Sequence, residues 1–373
     1  RRPRLQLLTR GQVFHRCIFL MPLTVPSKVA WHPAHGMATA YALAGKNAMM
    51  KDLTPGGDYE YCRENASMKD LTPGLFEVVF GAMGTRCSVS IFAADMAAAR
   101  KLAQVVIDDV GRLEAKYSRY LDTSFLSRIN HVAQAGGEIE VDAETASLLD
   151  YAKTCYEQSE GLFDVTSGLL RRAWNFQPEG QTAVPDATAI QALLERVGWH
   201  HVDWRAPRLR FAVAGMELDF GGIVKEYAAD RAASLLREAG AHHALINLGG
   251  DLCVTGPRAD GSSWSVAIQN PESDAPIDTL HLASGALATS GSYARCIEIE
   301  GIKYSHLLTP RTGMPVQGPL SVSVVADHCV IAGSVATLAM LKGREARQVL
   351  DDTGLPYLLV DDSLKVTRSA AFA

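Results

Sequence analysis

Two neighbouring stretches, 76–80 and 85–92, alternate apolar and polar residues with a period of two, and AMG at 82–84 lies in the turn between them. This predicts a β-hairpin. From 96 to 117 the period changes to that of a helix, with Leu102, Val105, Val106, Val110 and Leu113 on one stripe. Asp142 is placed as the N-cap of a second helix ending near 157, and a third is expected over about 186–197. Short alternating strands then surround a helix over about 222–238. A strand at 321–325, helices at 330–342 and 343–353, and a strand at 357–360 complete the reading. Strands and helices mix without a regular βαβ rhythm, which predicts an α+β fold, with mixed sheets of short strands packed against helices.

The first 50 residues lack this patterning. They carry seven Lys/Arg and no Asp or Glu, leaving the rest of the chain at −12 within a net charge of −5. Their apolar stretch is broken by Pro22, so they make a poor secretory signal and read as a disordered or non-native leader. The heptad MKDLTPG then occurs twice, at 50–56 and 68–74. Two copies are too few for a solenoid. The division expected is a leader over 1–74 and one folded domain over 75–373. Without a clear signal peptide a cytoplasmic location is favoured, with a periplasmic or membrane-associated one as the alternative.

Composition narrows the function classes. At 373 residues, 47% hydrophobic and 21% charged, the chain is ordinary for a globular protein. A pI near 6.1 gives no basic footprint for nucleic acid. No apolar run is long enough for a membrane span. Seven cysteines, at 17, 62, 87, 155, 253, 296 and 329, form no CxxC and are read as reduced thiols. GxGxxG, GxxxxGK[ST] and GxSxG are all absent, and the pairs His200–His201 and His242–His243 are not spaced as helical metal ligands.

Four segments could carry chemistry. In DFGGIVKEYAAD, 219–230, a strand is expected to end in Asp219, two glycines lead into a helix, and Lys225 lies in its first turn. A helix N-terminus with an added cation suits a phosphate or pyrophosphate, though the same pattern can be a plain strand-to-helix turn. In YSHLLTPRTG, 304–313, His306 sits between a strand and a Pro/Gly turn, a position for a general acid or base or for a structural histidine. ALATSGSY, 286–293, offers small hydroxyl residues after a strand, and GLFDVT, 161–166, offers Phe163 and Asp164, the latter equally readable as a helix cap.

Taken in order, AMGT (82–85), YSRY (117–120) with 124–130, GLFD (161–164), DFGGIVK (219–225), NLGGD (247–251), TSG (289–291) and YSH (304–306) with Pro310 to Gly313 resemble the ApbE family, the FAD:protein FMN transferases. The resemblance covers about 76–360. It implies a Mg²⁺-dependent enzyme that cleaves the FAD pyrophosphate and attaches FMN to a Ser/Thr of a target flavoprotein. It further implies His306 as the catalytic base. By the same resemblance Met83, Tyr120, Leu162, Phe163, Asp164, Asp219, Lys225, Thr289 and Leu307 contact FAD, and the backbone of Gly222 and the hydroxyl of Thr337 hold the metal.

One position departs from the resemblance. Most of the family places an Asp four residues before the metal-binding Thr, and this chain has Gly333; it also has Glu226 where many members have Gly. Loss of that carboxylate keeps two alternatives open, an FAD-binding carrier with little catalysis and an FAD pyrophosphatase. It also leads to the expectation that an Asp restored at 333 would strengthen metal binding.

Overall fold

The computed structural model describes residues 66–176, 181–293 and 295–372. Strands β1 (Ser67–Thr72), β2 (Leu75–Ala82) and β3 (Thr85–Phe92) lead into the 22-residue helix α1 (Met96–Tyr117). A smaller region follows: α2 (Phe125–Ala135), β4 (Glu138–Glu140), α3 (Ala143–Gln158), a 3-10 helix (Val165–Arg172), α4 (Ala187–Leu194), β5 (Val202–Arg205) and β6 (Arg208–Phe211). The chain returns through α5 (Val224–Glu238), β7 (Ala244–Leu248), β8 (Asp251–Val254), β9 (Trp264–Asn270), β10 (Ser273–Leu282) and β11 (Ala286–Gly291). It ends with β12 (Cys296–Ile299), β13 (Ile302–Ser305), β14 (Ser321–Ala326), α6 (Cys329–Lys342), α7 (Ala346–Thr353), β15 (Tyr357–Val360) and β16 (Val366–Arg368).

Nine strands form one sheet in the order β1-β2-β3-β7-β8-β11-β14-β15-β16, every pair antiparallel. The α+β expectation holds. Side chains alternate across the central strands, so each serves two cores. Cys253, Ala286, Ala288, Val322, Val324, Tyr357 and Leu359 face a core shared with α1, α5 and α6. Leu252, Val254, Leu287, Leu358 and Val360 face the other way, onto Trp264, Val266, Ile268, Leu280 and Leu282 of the β9–β10 hairpin. The molecule is thus layered as helices, sheet and ribbon. The small β4-β6-β5 sheet joins the helical core through Leu209 and Phe211.

The folded unit begins before Leu75. The second MKDLTPG copy forms β1 and the turn into β2, pairing from Ser67↔Val79 to Thr72↔Leu75. An edge strand needs backbone partners on one side only, so its polar composition disguises it. The remainder of the expected leader, 1–65, lies outside the described residues, as do Cys17 and Cys62. Cys155, Cys253, Cys296 and Cys329 are free thiols. Among the described residues, no helix is long and apolar enough to cross a membrane.

Helix α6, CVIAGSVATLAMLK, is apolar on every face and almost wholly buried, as expected of a helix wrapped by core. No side chain of its own caps it. The carboxylate of Asp230, on α5, accepts from the N–H groups of Cys329 (2.7 Å) and Val330 (3.0 Å) instead. Burial raises the Asp230 pKa, and the two amides oppose that rise. Asp230→Ala would orphan two buried N–H groups, so we expect a loss of roughly 1–3 kcal/mol in urea denaturation. Asp230→Asn, which keeps an acceptor, should lose less. Wild-type stability in both would remove this cap from the fold's supports.

Candidate active site

The turn ends of β2–β3 and β7–β8, the C-terminal half of β11, the N-terminus of α5 and the middle of α6 meet at one end of the sheet. Met83 lies in the β2–β3 turn with φ at 52°, uncommon for a residue with a side chain. Its N–H donates to Glu114 Oε1 (2.8 Å) in the last turn of α1. Just past α1, Arg119 forms an ion pair with Asp219 and donates to the Tyr120 hydroxyl (2.7 Å), its guanidinium 4.8 Å from the Tyr120 ring centre. Tyr120 is half exposed and presents an aromatic face beside this pair.

Asp219 does not end a strand. Residues 216–220 join no sheet, because side chains and a loop take the place of a neighbouring strand. Gln134 donates to the Met216 carbonyl (2.8 Å). Asn130 both donates to the Leu218 carbonyl (3.0 Å) and accepts from its N–H (2.8 Å), and the N–H of Asp219 donates to Val165 O (2.8 Å). Gly168 makes room for this arrangement, since a Cβ there would stand 2.5 Å from Asp219 Cβ. The two glycines after Phe220 form a turn, and α5 starts two residues later than expected, at Val224, without a side-chain cap. Its N-terminus is therefore open to an anion. A Cβ on Gly222 would stand 3.5 Å from the buried ring of Phe163.

Lys225 forms an ion pair with the buried carboxylate of Asp251. Asp251 also accepts from the N–H of Thr289 (3.3 Å), whose hydroxyl bonds Ser323 (2.8 Å). Thr289 and Ser290 lie within β11, not after a strand as expected. Ser290 bonds the hydroxyl of Thr337 on α6 (2.8 Å).

His306 follows β13. Its Nδ1 lies 3.1 Å from the Arg295 carbonyl, which only accepts, so Nδ1 carries the proton and Nε2 keeps its lone pair. Burial lowers the pKa below the ordinary 6.5, and the charges of Arg295 and Arg119 add to that; the carbonyl bond opposes it. The result is a neutral imidazole near the Arg119–Asp219 pair.

Most of the expected residues therefore form a connected group. Asp164 is committed to the fold: it caps the 3-10 helix, accepting from the Thr166 N–H and hydroxyl (both 2.8 Å), and burial raises its pKa. Leu162 is buried beside it. Met83 and Leu307 reach the group only through the core on which both pack. Arg119, Asn130 and Asp251 received no individual role from the sequence, although each lies inside a segment that carried the resemblance. Asp251, directly after a Gly-Gly turn, was the most legible of the three.

Glu226 sits where an Asp at 333 would have to go. A Cβ on Gly333 would stand 2.5 Å from Glu226 Cγ and 3.0 Å from its Oε1. An Asp at 333 would therefore have to displace Glu226 and would bring two carboxylates together. Among the described residues no three His, Cys, Asp or Glu side chains gather as a metal cage.

A model of the ApbE family matches residues 83–359. The chain is 33% identical over 294 residues to the FAD:protein FMN transferase of Klebsiella pneumoniae, covering 75% of this chain and 83% of that protein. It is 30% identical over 310 residues to the transferase of the same name from Treponema pallidum, covering 77% and 85%. Among solved structures, the ApbE protein of Thermotoga maritima superposes with a TM-score of 0.73 at 30% identity, over 79% of this chain and 97% of that one. The flavin transferase ApbE of Vibrio cholerae gives 0.70 at 25%, over 82% and 98%.

The packing of Gly168 against Asp219 generates a prediction. Gly168→Ala must displace Asp219 from Arg119, so flavin affinity measured by fluorescence titration should fall while the circular-dichroism spectrum stays native. Overpacking should also cost roughly 1–3 kcal/mol in denaturation. Wild-type flavin affinity in this variant would show that the exact seat of Asp219 is unimportant.

Proposed function

The chain belongs to the ApbE family, and on that premise we propose that it is an FAD:protein FMN transferase acting on a Ser or Thr hydroxyl of a target flavoprotein. The observation that carries this reading is the convergence of a neutral His306, oriented by the Arg295 carbonyl, with the Arg119–Asp219 pair and the uncapped start of α5. In the proposed reaction Nε2 of His306 accepts the proton of the acceptor hydroxyl. The hydroxyl oxygen bonds to the FMN phosphorus, the bridging P–O bond breaks, and AMP leaves with that oxygen. The open N–H groups of α5 and Lys225 offset the charge of the pyrophosphate. Tyr120 and Phe163 offer aromatic surface for the flavin rings, with Met83, Leu162, Asp164, Asp219, Thr289 and Leu307 framing the same end of the sheet.

Mg²⁺ suits the donors available, which are oxygens and include a buried carboxylate oxygen, Glu226 Oε2, with no partner. The Gly222 carbonyl and the Thr337 hydroxyl would hold it. When bound it would neutralise charge on the phosphoryl oxygens.

Incubation with FAD, Mg²⁺ and an acceptor domain, followed by a denaturing gel, tests the reading: a fluorescent flavin band on the acceptor is expected. Free FMN would mean hydrolysis, and intact FAD would mean a binder. His306→Ala should bind FAD normally and lose roughly 10²–10⁴ in transfer rate. Because the folded pKa is lowered, the base stays neutral down through pH 6.5, so the acid limb of the wild-type rate profile should have its midpoint below that value. An acid limb above 6.5 would remove His306 from the base role. Asp219→Ala and Lys225→Ala should each weaken FAD binding in a fluorescence titration; unchanged affinity in both would reduce the segment to a turn.

A further inference from the structure

Helices α5 and α6 pack antiparallel, and their side chains meet in layers one turn apart. Asp230 meets the N–H groups of Cys329 and Val330, and four residues earlier Glu226 meets Gly333. Along the chain Gly222 precedes Glu226 by four residues and Thr337 follows Gly333 by four, and the Thr337 hydroxyl bonds that of Ser290 (2.8 Å). Glu226 therefore meets α6 one turn from Thr337.

Its state there is unusual. Glu226 is 7% exposed, and its Oε2 is buried with no hydrogen-bond partner. The neighbouring cation Lys225 is paired with Asp251, and no ion pair to Glu226 is formed among the described residues. A buried ionised carboxylate is costly unless it is paired or holds a metal. The missing side chain of Gly333 is what admits it, since any Cβ at that position would meet Glu226 Cγ at 2.5 Å.

Resting on the transferase reading above, we propose that Glu226 is the anionic ligand of a divalent cation bound between α5 and α6, and that Gly333 is small in order to admit it. The carboxylate reaches the cation from α5 instead of α6, and with it the set becomes one carboxylate, one backbone carbonyl and one hydroxyl. Mg²⁺ commonly completes such a set with water and substrate phosphate.

The test is Mn²⁺ binding, read by electron paramagnetic resonance with FAD present, on the full chain. Wild type should bind, and Glu226→Gln, nearly isosteric, should bind at least about tenfold more weakly, since even outer-shell partners are worth that much. Without metal, Glu226→Gln should melt no lower than wild type, because Oε2 makes no hydrogen bond for the variant to lose; the rise in Tm on adding Mg²⁺ should be confined to wild type. If the metal-free Tm of Glu226→Gln falls, the double variant Glu226→Ala/Gly333→Asp decides. It moves the carboxylate to the facing helix, and binding within about tenfold of wild type supports the proposal while none overturns it. Wild-type Mn²⁺ affinity in a stable Glu226→Gln, or no binding by wild type, also overturns it. Transfer is scored in the same samples. FMN transfer with metal binding indifferent to Glu226 would sink this inference alone, and metal bound through Glu226 without transfer would sink the functional reading alone.

Discussion

The register between α5 and α6 is the constraint on which the rest of the site depends, and the buried carboxylate of Asp230 sets it. That one side chain, from α5, satisfies the first N–H groups of α6, which carries no side-chain cap of its own. Unsatisfied donors in so dry a place would be expensive, so the two helices are held in a single alignment. One step of four residues along, Glu226 falls on Gly333, itself one turn of α6 from Thr337. The sheet beneath completes the arrangement, since Asp251 at the start of β8 anchors Lys225 and Ser290 in β11 anchors Thr337.

The electrostatics are arranged in the same economical way. Two carboxylates of the site, Asp219 and the buried Asp251, are each met by a cation, Arg119 and Lys225. Those ion pairs hold positive charge in place where a pyrophosphate can meet it, and they do so before any ligand arrives. Burial first, and the nearby positive charges second, lower the His306 pKa, while the Arg295 carbonyl selects the tautomer whose free nitrogen can accept a proton. A base prepared in this way needs no proton loss of its own before it acts.

Much of the fold was legible because the periodic signals were strong. The β2–β3 hairpin and α1 appear where alternation and the helical stripe put them, and Asp142 caps α3 as expected, accepting from the Thr145 N–H. Helix α2 lies outside the helices expected from the sequence, although Ser124 caps it and Gly136 ends it in the left-handed conformation. The segment before Asp219 looked like a strand because it is extended; that Asn130 and Gln134 stand in for the neighbouring strand depends on tertiary contacts that no local pattern carries. The site was legible as a set of segments and not as a geometry. Arg119 meets Asp219 across 100 residues of chain. Glu226 and Gly333 are both departures from the resemblance, and their contact joins them in one place.

Transfer of FMN onto a protein hydroxyl is decided by intact-mass spectrometry of an acceptor domain, with AMP quantified in the same reaction. After incubation with FAD and Mg²⁺ the acceptor should carry one phosphoester-linked FMN, with one equivalent of AMP released per acceptor modified. An acceptor of unchanged mass, whether FAD stays intact or AMP appears together with free FMN, would contradict it.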